Sequence, residues 1–250
     1  MKKQILSAYK CMECLGCQFL HPGGRYATKR LIEKLNISSD DKILEIGCGT
    51  GNTARFIHSL TSANIVGIDI DDAMIVKAKK TTSKNQQKLK FMIGSGDNIP
   101  FDDNSFDVII SEGTTFFMET KKALKEYYRV LKPTGRIGLV EISYFKTPPV
   151  ELENLTTEVT CCYGMKPLLF DEWEKQIRQA GFIIENVDRK NMHMCMGSMI
   201  HSEGFWNTIK ININMMIKPY ATKRMMSIMK HYNKYQDYFG FGIFTAYKKG

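Results

Sequence analysis

No run of apolar residues in this 250-residue chain approaches the roughly twenty needed for a helix to cross a bilayer, so a membrane-spanning helix is not expected. The first residues carry no secretory pattern either. Met1 to Ala8 is followed by Lys10 before any leader-like apolar region develops, and the expectation is a soluble, cytoplasmic protein. Internal repeats and low-complexity tracts are also missing, and Pro148-Pro149 is the clearest punctuation. The seven cysteines are an odd number, so a complete set of internal disulfides is excluded, and a reducing compartment would keep them as thiols. What remains is a chain with 43% apolar residues and alternating strand-like and helix-like segments, enough for one α/β core. Its formal charge of +9 raises encounter with nucleic acid, anionic lipid or acidic small molecules, but the expected reading is a lysine-rich surface that serves solubility.

The most informative stretch is Leu44-Glu45-Ile46-Gly47-Cys48-Gly49-Thr50-Gly51, with Asp69 ending the next apolar run, Ile65-Val66-Gly67-Ile68. A buried strand entering a glycine-rich turn lets backbone amides approach a ligand closely, and a carboxylate after the following strand can hold two ribose hydroxyls. A dinucleotide turn needs glycine at its sixth position to seat a pyrophosphate, and that position is Asn52. An acid at Glu45 suits instead a cationic ligand without phosphate, such as the amino group and sulfonium of S-adenosylmethionine. Further on, Asp97 in the loop Gly94-Ser95-Gly96-Asp97-Asn98 can accept hydrogen bonds from an adenine amine. Leu89 to Ile93 is expected as the third strand and Ser105 to Ile110 as the fourth. Arg129 to Arg136 is expected as a helix end, a turn and the entry to the fifth strand.

The spacing E-x-G-x-G-x-G resembles the first motif of class I S-adenosylmethionine-dependent methyltransferases. The later series, G-x-D-x-x-P-F, S-F-D and R-V-L-K-P-x-G, resembles the type 11 or ubiquinone/menaquinone-biosynthesis methyltransferases over residues 40 to 145 and, more loosely, to about 190. That resemblance implies a Rossmann-like α/β sheet of seven strands, six parallel and the last antiparallel, with helices on both faces. It also implies that Glu45, Gly47, Cys48, Gly49 and Gly51 surround the methionine moiety. Asp69 then holds the ribose, Ile70 neighbours the adenine, Asp97 and Asn98 read its edge, and Ser111-Glu112-Gly113 lies beneath the transferred methyl. Glu112 and Tyr144 are the candidate catalytic groups. Glu141, Tyr163 and His201 are further candidates by position only.

Cys11-Met12-Glu13-Cys14-Leu15-Gly16-Cys17, continued by His21-Pro22, copies most of an iron–sulfur ligand run, with histidine in the last place. Cys11, Cys14, Cys17 and His21 can hold a soft metal or a cluster; alternatively the thiols pack as small apolar groups. Cys161-Cys162 lies where a thiophilic acceptor would sit by analogy with arsenite methyltransferases, a related group.

Four segments are expected: an N-terminal helical cap over 1–40, the cofactor-binding core over 41–190, an insert over 191–239 and the final strand over 240–250. The insert separates strand-like Phe182 to Val187 from strand-like Phe241 to Tyr247. It carries nine of the fifteen methionines and six Lys or Arg against Glu203 and Asp237. Methionine adapts to irregular apolar ligands, so this segment is expected to roof the acceptor site, to pack as ordinary core, or to rest on a membrane surface. The leading expectation is methyl transfer to a small hydrophobic or thiophilic acceptor. The alternatives are an RNA or protein methyltransferase and a metal- or redox-sensing cofactor-binding protein. Nucleic acid is disfavoured because Ser111-Glu112-Gly113-Thr114 replaces the N-P-P-Y type sequence that holds a planar amine, and no appended nucleic-acid module follows. The sequence leaves the oligomeric state open.

Overall fold

The computed structural model describes residues 6–83, 87–192 and 199–249. Two helices, α1 (Ala8–Leu15) and α2 (Gly24–Lys34), precede the sheet. The core then alternates β1 (Lys42–Ile46), α3 (Asn52–Thr61), β2 (Asn64–Asp69), α4 (Asp72–Thr81), β3 (Leu89–Ile93), β4 (Phe106–Glu112), α5 (Thr120–Val130) and β5 (Leu131–Tyr144). It continues with α6 (Val150–Thr160), a two-residue strand β6 (Leu168–Leu169), α7 (Phe170–Gln179) and β7 (Phe182–Asn191). Three helices follow, α8 (Met199–Glu203), α9 (Phe205–Ile217) and α10 (Pro219–Lys234), before the closing strand β8 (Phe239–Lys248).

The sheet order is β3-β2-β1-β4-β5-β8-β7, with β6 pairing the end of β5. β1 to β5 are mutually parallel, and β8 runs antiparallel between β5 and β7. The expected Rossmann-like arrangement is therefore present, with β6 as an addition. Strand order reverses between β1 and β4, and a doubly wound sheet opens its ligand crevice at the carboxyl ends of the strands flanking that reversal. Glu45, Gly47, Asp69 and Glu112 all lie at that end.

Apolar side chains leave both faces of the sheet, as they must when helices cover each side. On one face Leu31, Leu35, Ala54, Ile57, Ile75 and Ala78 meet Ile43, Ile65 and Val108. On the other Leu124, Tyr127, Val130, Trp173 and Ile177 meet Leu44, Ile109 and Leu139. Local chemistry places the helix ends. Asp71 caps α4 by accepting from Ala73 N at 2.8 Å, and Gly16 ends α1 in the left-handed region at φ 90°.

The expected turn between α5 and the fifth strand is instead an irregularity inside β5. Phe106 pairs Leu131 while Val108 pairs Arg136, so Lys132 to Gly135 bulge outward and Thr134 adopts φ 64°. The sixth expected strand runs on to Asn191 because β8 offers it a full antiparallel partner. Residues 193–198, which include Met194 and Met196 of the methionine-rich insert, lie outside the described residues, as do residues 1–5 of the N-terminal segment.

Candidate active site

The glycine-rich turn between β1 and α3 is built for close approach. Gly47, Gly49 and Gly51 adopt φ of 67°, 50° and 76°, a region that disfavours any Cβ. A Cβ on Gly47 would lie 2.3 Å from Thr114 Oγ1, so the β4–α5 loop presses directly on the turn. Gly49 is the contrary case, because no atom lies within 4 Å of its would-be Cβ. That opening lies beside Asp69, whose Oδ2 accepts from Gly49 N at 2.8 Å and whose Oδ1 accepts from Asp71 N at 2.9 Å. The carboxylate is thus aimed by two backbone amides and keeps lone pairs for a ligand.

Glu45 ends β1 almost completely buried, and burial, reinforced by the nearby Glu112 charge, pushes its carboxyl well above the usual range. Its Oε2 has no hydrogen-bond partner among the described residues. Arg55 approaches from α3, where its Nη2 donates to Thr50 O and Asn52 Oδ1, both at 2.7 Å, and its Nη1 is likewise unpartnered. Unsatisfied buried polar atoms of opposite character beside an open turn suit a ligand carrying both an ammonium and a carboxylate. The donor set therefore fits S-adenosylmethionine. Ile70 is largely exposed at the rim, Asn98 is exposed, and Asp97 accepts from Ser95 Oγ at 2.5 Å with Lys122 Nζ at 4.0 Å.

Two of the residues expected at the cofactor face elsewhere. Cys48 packs under the turn against Gly67, since a Cβ there would meet its Sγ at 2.9 Å. Ser111 is fully buried, sharing its hydroxyl with Thr115 Oγ1 at 2.8 Å, 3.5 Å from Glu141 Oε1. Glu141 takes Thr115 N at 3.0 Å and Phe116 N at 3.4 Å, and burial lifts its carboxyl to about 8. It is a structural anchor for the loop after β4.

An apolar cavity of about 530 Å³ adjoins this loop. Its floor includes Ile142 of β5 and Phe241 of β8, and one wall is the strap His21-Pro22-Gly23-Gly24 leading into α2. Its roof comes from α1 through Tyr9, Met12 and Leu15, from α9 through Ile211 and Met215, and from α10 through Met225, Ile228, Met229 and Tyr232. The N-terminal helix and the insert form one cap, whose own small core joins Cys11, Leu15, Ile211, Ala221 and Met225. Cap and cofactor loop meet at two points. Tyr9 OH reaches Gly113 O at 3.5 Å while its ring packs edge-on against Phe117, and a Cβ on Gly113 would stand 3.1 Å from His21 Cβ.

Neither expected catalytic group opens into this cavity. Tyr144 is 5% exposed and packs on Phe239, its register partner on β8, with ring centroids 5.3 Å apart. Burial lifts its phenol to about 12. Tyr232 of α10 covers the same Phe239 at 5.0 Å and lines the cavity in its place. Glu112 points behind the strap, accepting Thr28 Oγ1 at 3.0 and 3.1 Å and lying 3.4 Å from His21 Nε2. Burial lifts it to about 8 and lowers His21 to about 4. Of the residues named by position, His201 lines the cavity and Tyr163 is mostly exposed away from it.

The cysteine run does not form a metal set, and no group of three or more metal-ligating side chains gathers among the described residues. Cys11 donates its thiol to Ala221 O at 3.0 Å. Cys14 belongs to the cap core, and Cys17 lies past the Gly16 helix end, where burial lifts its thiol to about 12. His21 is taken by Pro22 O at 3.2 Å and by Thr28. The left-handed turn at Gly16 breaks the helical spacing that would have stacked the third thiol on the first two. Cys161-Cys162 also divides: Cys162 lines the cavity, while Cys161 Sγ meets Arg224 Nη2 at 3.1 Å.

Tyr9, Thr28, Tyr232 and the His21 strap carry no periodic signal in the sequence. The two consecutive glycines after Pro22 are the one local mark of a tight turn, with φ of 72° and 48°.

Residues 44–139 match the family model described as a methyltransferase domain. An uncharacterized protein of Haemophilus influenzae is 33% identical over 211 residues, which is 81% of this chain and 82% of that protein. The uncharacterized methyltransferase YodH of Bacillus subtilis is 29% identical over 240 residues, 95% of this chain and 97% of its own length. Among solved structures, phosphoethanolamine N-methyltransferase 2 of Haemonchus contortus, in complex with phosphomonomethylethanolamine and S-adenosylhomocysteine, matches with a TM-score of 0.76 at 19% identity. The match covers 96% of this chain and 56% of that one.

Proposed function

This chain belongs to the S-adenosylmethionine-dependent methyltransferases, and on that premise we propose that it methylates a small, largely apolar acceptor held in the cavity beneath the cap. The observation that carries this reading is the cavity of about 530 Å³, walled by methionine, leucine and isoleucine, whose lining residues Tyr9 and His21 touch the Gly113 loop. A space of that size and lining suits one hydrophobic small molecule oriented by a few polar groups. An RNA strand or a folded protein substrate would need an open charged groove instead.

The cofactor, when bound, supplies an electrophilic methyl on a sulfonium that needs no acid to leave. Glu45, Gly47, Gly49, Gly51, Asp69, Ile70, Asp97 and Asn98 would hold it. The chain's own tasks are then alignment of the acceptor and exclusion of water, the two terms that dominate an in-line displacement. Tyr9 and Tyr232 present phenols whose ionisation burial pushes well up, so at neutral pH they donate hydrogen bonds and do not act as bases. His21 is neutral and gives its ring atoms to Pro22, Thr28 and Glu112. With such a lining, the favoured acceptors bring a nucleophile that ionises readily, such as a quinol-type carbon acid or a thiol. Cys17 and Cys162 at the wall would also suit a thiophilic acceptor.

The test is formation of S-adenosylhomocysteine with a panel of hydrophobic quinols, aromatic and aliphatic thiols and arsenite, with bulk tRNA as comparison. Turnover with an apolar quinol or thiol, abolished by Met229→Trp at unchanged cofactor affinity, is the expected result. Turnover with tRNA alone would refute the acceptor class.

A further inference from the structure

Helix α9 is apolar on both sides. Its inner side chains Ile211 and Met215 line the cavity, yet Phe205, Trp206, Ile209, Ile213, Met216 and Ile217 are all exposed on its outer side. Trp206 and Met216 are about as open as side chains become, at 80% and 83%. At 3.6 residues per turn these six positions fall within an arc of about 120° that contains no polar residue. Six such residues on one solvent-facing arc exceed the scatter of single exposed apolar groups normal for a soluble surface.

The charge around this stripe has one sign. From Phe205 to Lys234 the sequence carries six Lys or Arg and no Asp or Glu. Lys210 borders the stripe on α9, and Lys223 and Lys230 are exposed on α10. A helix with an apolar face, an exposed tryptophan and flanking lysines matches the physics of a helix lying in the plane of a lipid interface. Lysine stems bury along the acyl boundary while their ammonium groups meet anionic headgroups. No helix among the described residues is long and apolar enough to cross a membrane, so the contact is a surface one.

We propose that the outer face of α9, from Phe205 to Ile217, docks on an anionic lipid bilayer. The basic surround selects this occupant over a second copy of the chain, because two such faces would bring their lysines together. Docking would place the cavity's roof helices against the bilayer, so that an apolar acceptor dissolved in lipid reaches the cavity across α9 and α10. The docking itself does not depend on which acceptor is methylated.

The experiment uses the full chain with phosphatidylcholine vesicles, with and without phosphatidylglycerol, at low and high salt. The chain has two tryptophans, and Trp173 is completely buried, so a shift in emission on adding vesicles reports Trp206. The expected result is a blue shift and co-flotation with the anionic vesicles. Partitioning should exceed that for neutral vesicles by about tenfold or more, given roughly fivefold per lysine near the surface, and should weaken with salt. Trp206→Phe should remove the shift but keep flotation, and Ile213→Glu with Ile217→Glu should abolish flotation while leaving the thermal melt and cofactor binding unchanged. The proposal is overturned if the protein stays in the buffer with both vesicle types. It is also overturned if sedimentation shows a homodimer in the absence of lipid that the two glutamate substitutions dissociate.

Discussion

His21 Nε2 lies 3.4 Å from Glu112 Oε2, with both side chains almost closed to solvent where the N-terminal strap crosses the loop that follows β4. His21 gives its other nitrogen to Pro22 O at 3.2 Å, so the pair ties the strap to the end of β4. Burial holds Glu112 near 8 and His21 near 4, so at neutral pH both are uncharged. A neutral pair avoids leaving an isolated charge in a dry wall beside an apolar cavity.

Stability should therefore decline between about pH 4.5 and 8, most steeply above about 6.5. Glu112 and Glu141 keep in the folded state a proton that the unfolded chain has lost above 4.5, so each removes stability as pH climbs toward its folded value near 8. His21 works the other way, adding stability from about 4 up to 6.5, and it has no further effect above that. Glu112→Gln, which keeps the shape and cannot ionise, should make the decline shallower by about a third to a half. Thermal melts at half-unit pH intervals read this out, and an unchanged slope would show that Glu112 is not protonated in the fold.

Gly47→Ala and Gly49→Ala should separate folding from binding. Both place a Cβ at positive φ, a penalty of about 1–2 kcal/mol each. Gly47→Ala adds a collision with Thr114 and should lower the melting temperature markedly further. Gly49→Ala meets no protein atom and should melt only slightly lower, while its affinity for S-adenosylhomocysteine falls by tenfold or more at about 1.4 kcal/mol per decade.

Glu45→Gln should weaken binding of S-adenosylmethionine by about thirtyfold or more, since removing one partner of a buried charge pair costs about 2 kcal/mol or more. In the ligand-free protein, burial keeps the Glu45 carboxyl protonated above the usual range. A cationic ligand would favour the ionised form, so binding should release a proton. Calorimetry in buffers of different ionisation enthalpy detects that release, and it should vanish in Glu45→Gln.

Protein purified without oxygen should carry no stoichiometric iron or zinc, and Cys14→Ser should leave the metal content unchanged. Elemental analysis of both proteins decides the point. Cys11→Ser should cost more stability than Cys14→Ser, because Cys11 is completely buried in the cap core and bonded to Ala221 O.

The sheet and the cofactor turn were legible because their signals are local. Strand period, the glycines at 47, 49 and 51 and the acid at 69 each act within a few residues, and the structure places them at the switch point of the sheet. The acceptor side was not legible in the same way. Tyr144 and Glu112 stand at the right ends of their strands, but what lies over each is decided by Phe239 and by the strap at His21.

Spacing and period therefore determined an α/β core with a nucleoside turn, since backbone conformation and hydrophobic period are written residue by residue, and the motif resemblance supplied the Rossmann-like sheet. Tertiary packing decided which thiols are buried, which tyrosines face the cavity and which side of α9 meets solvent. The cap joins Cys11 to Ala221 and Leu15 to Asn214 across some two hundred residues of chain. Contacts at that separation follow from how volumes fill around the finished sheet, and no short pattern encodes them.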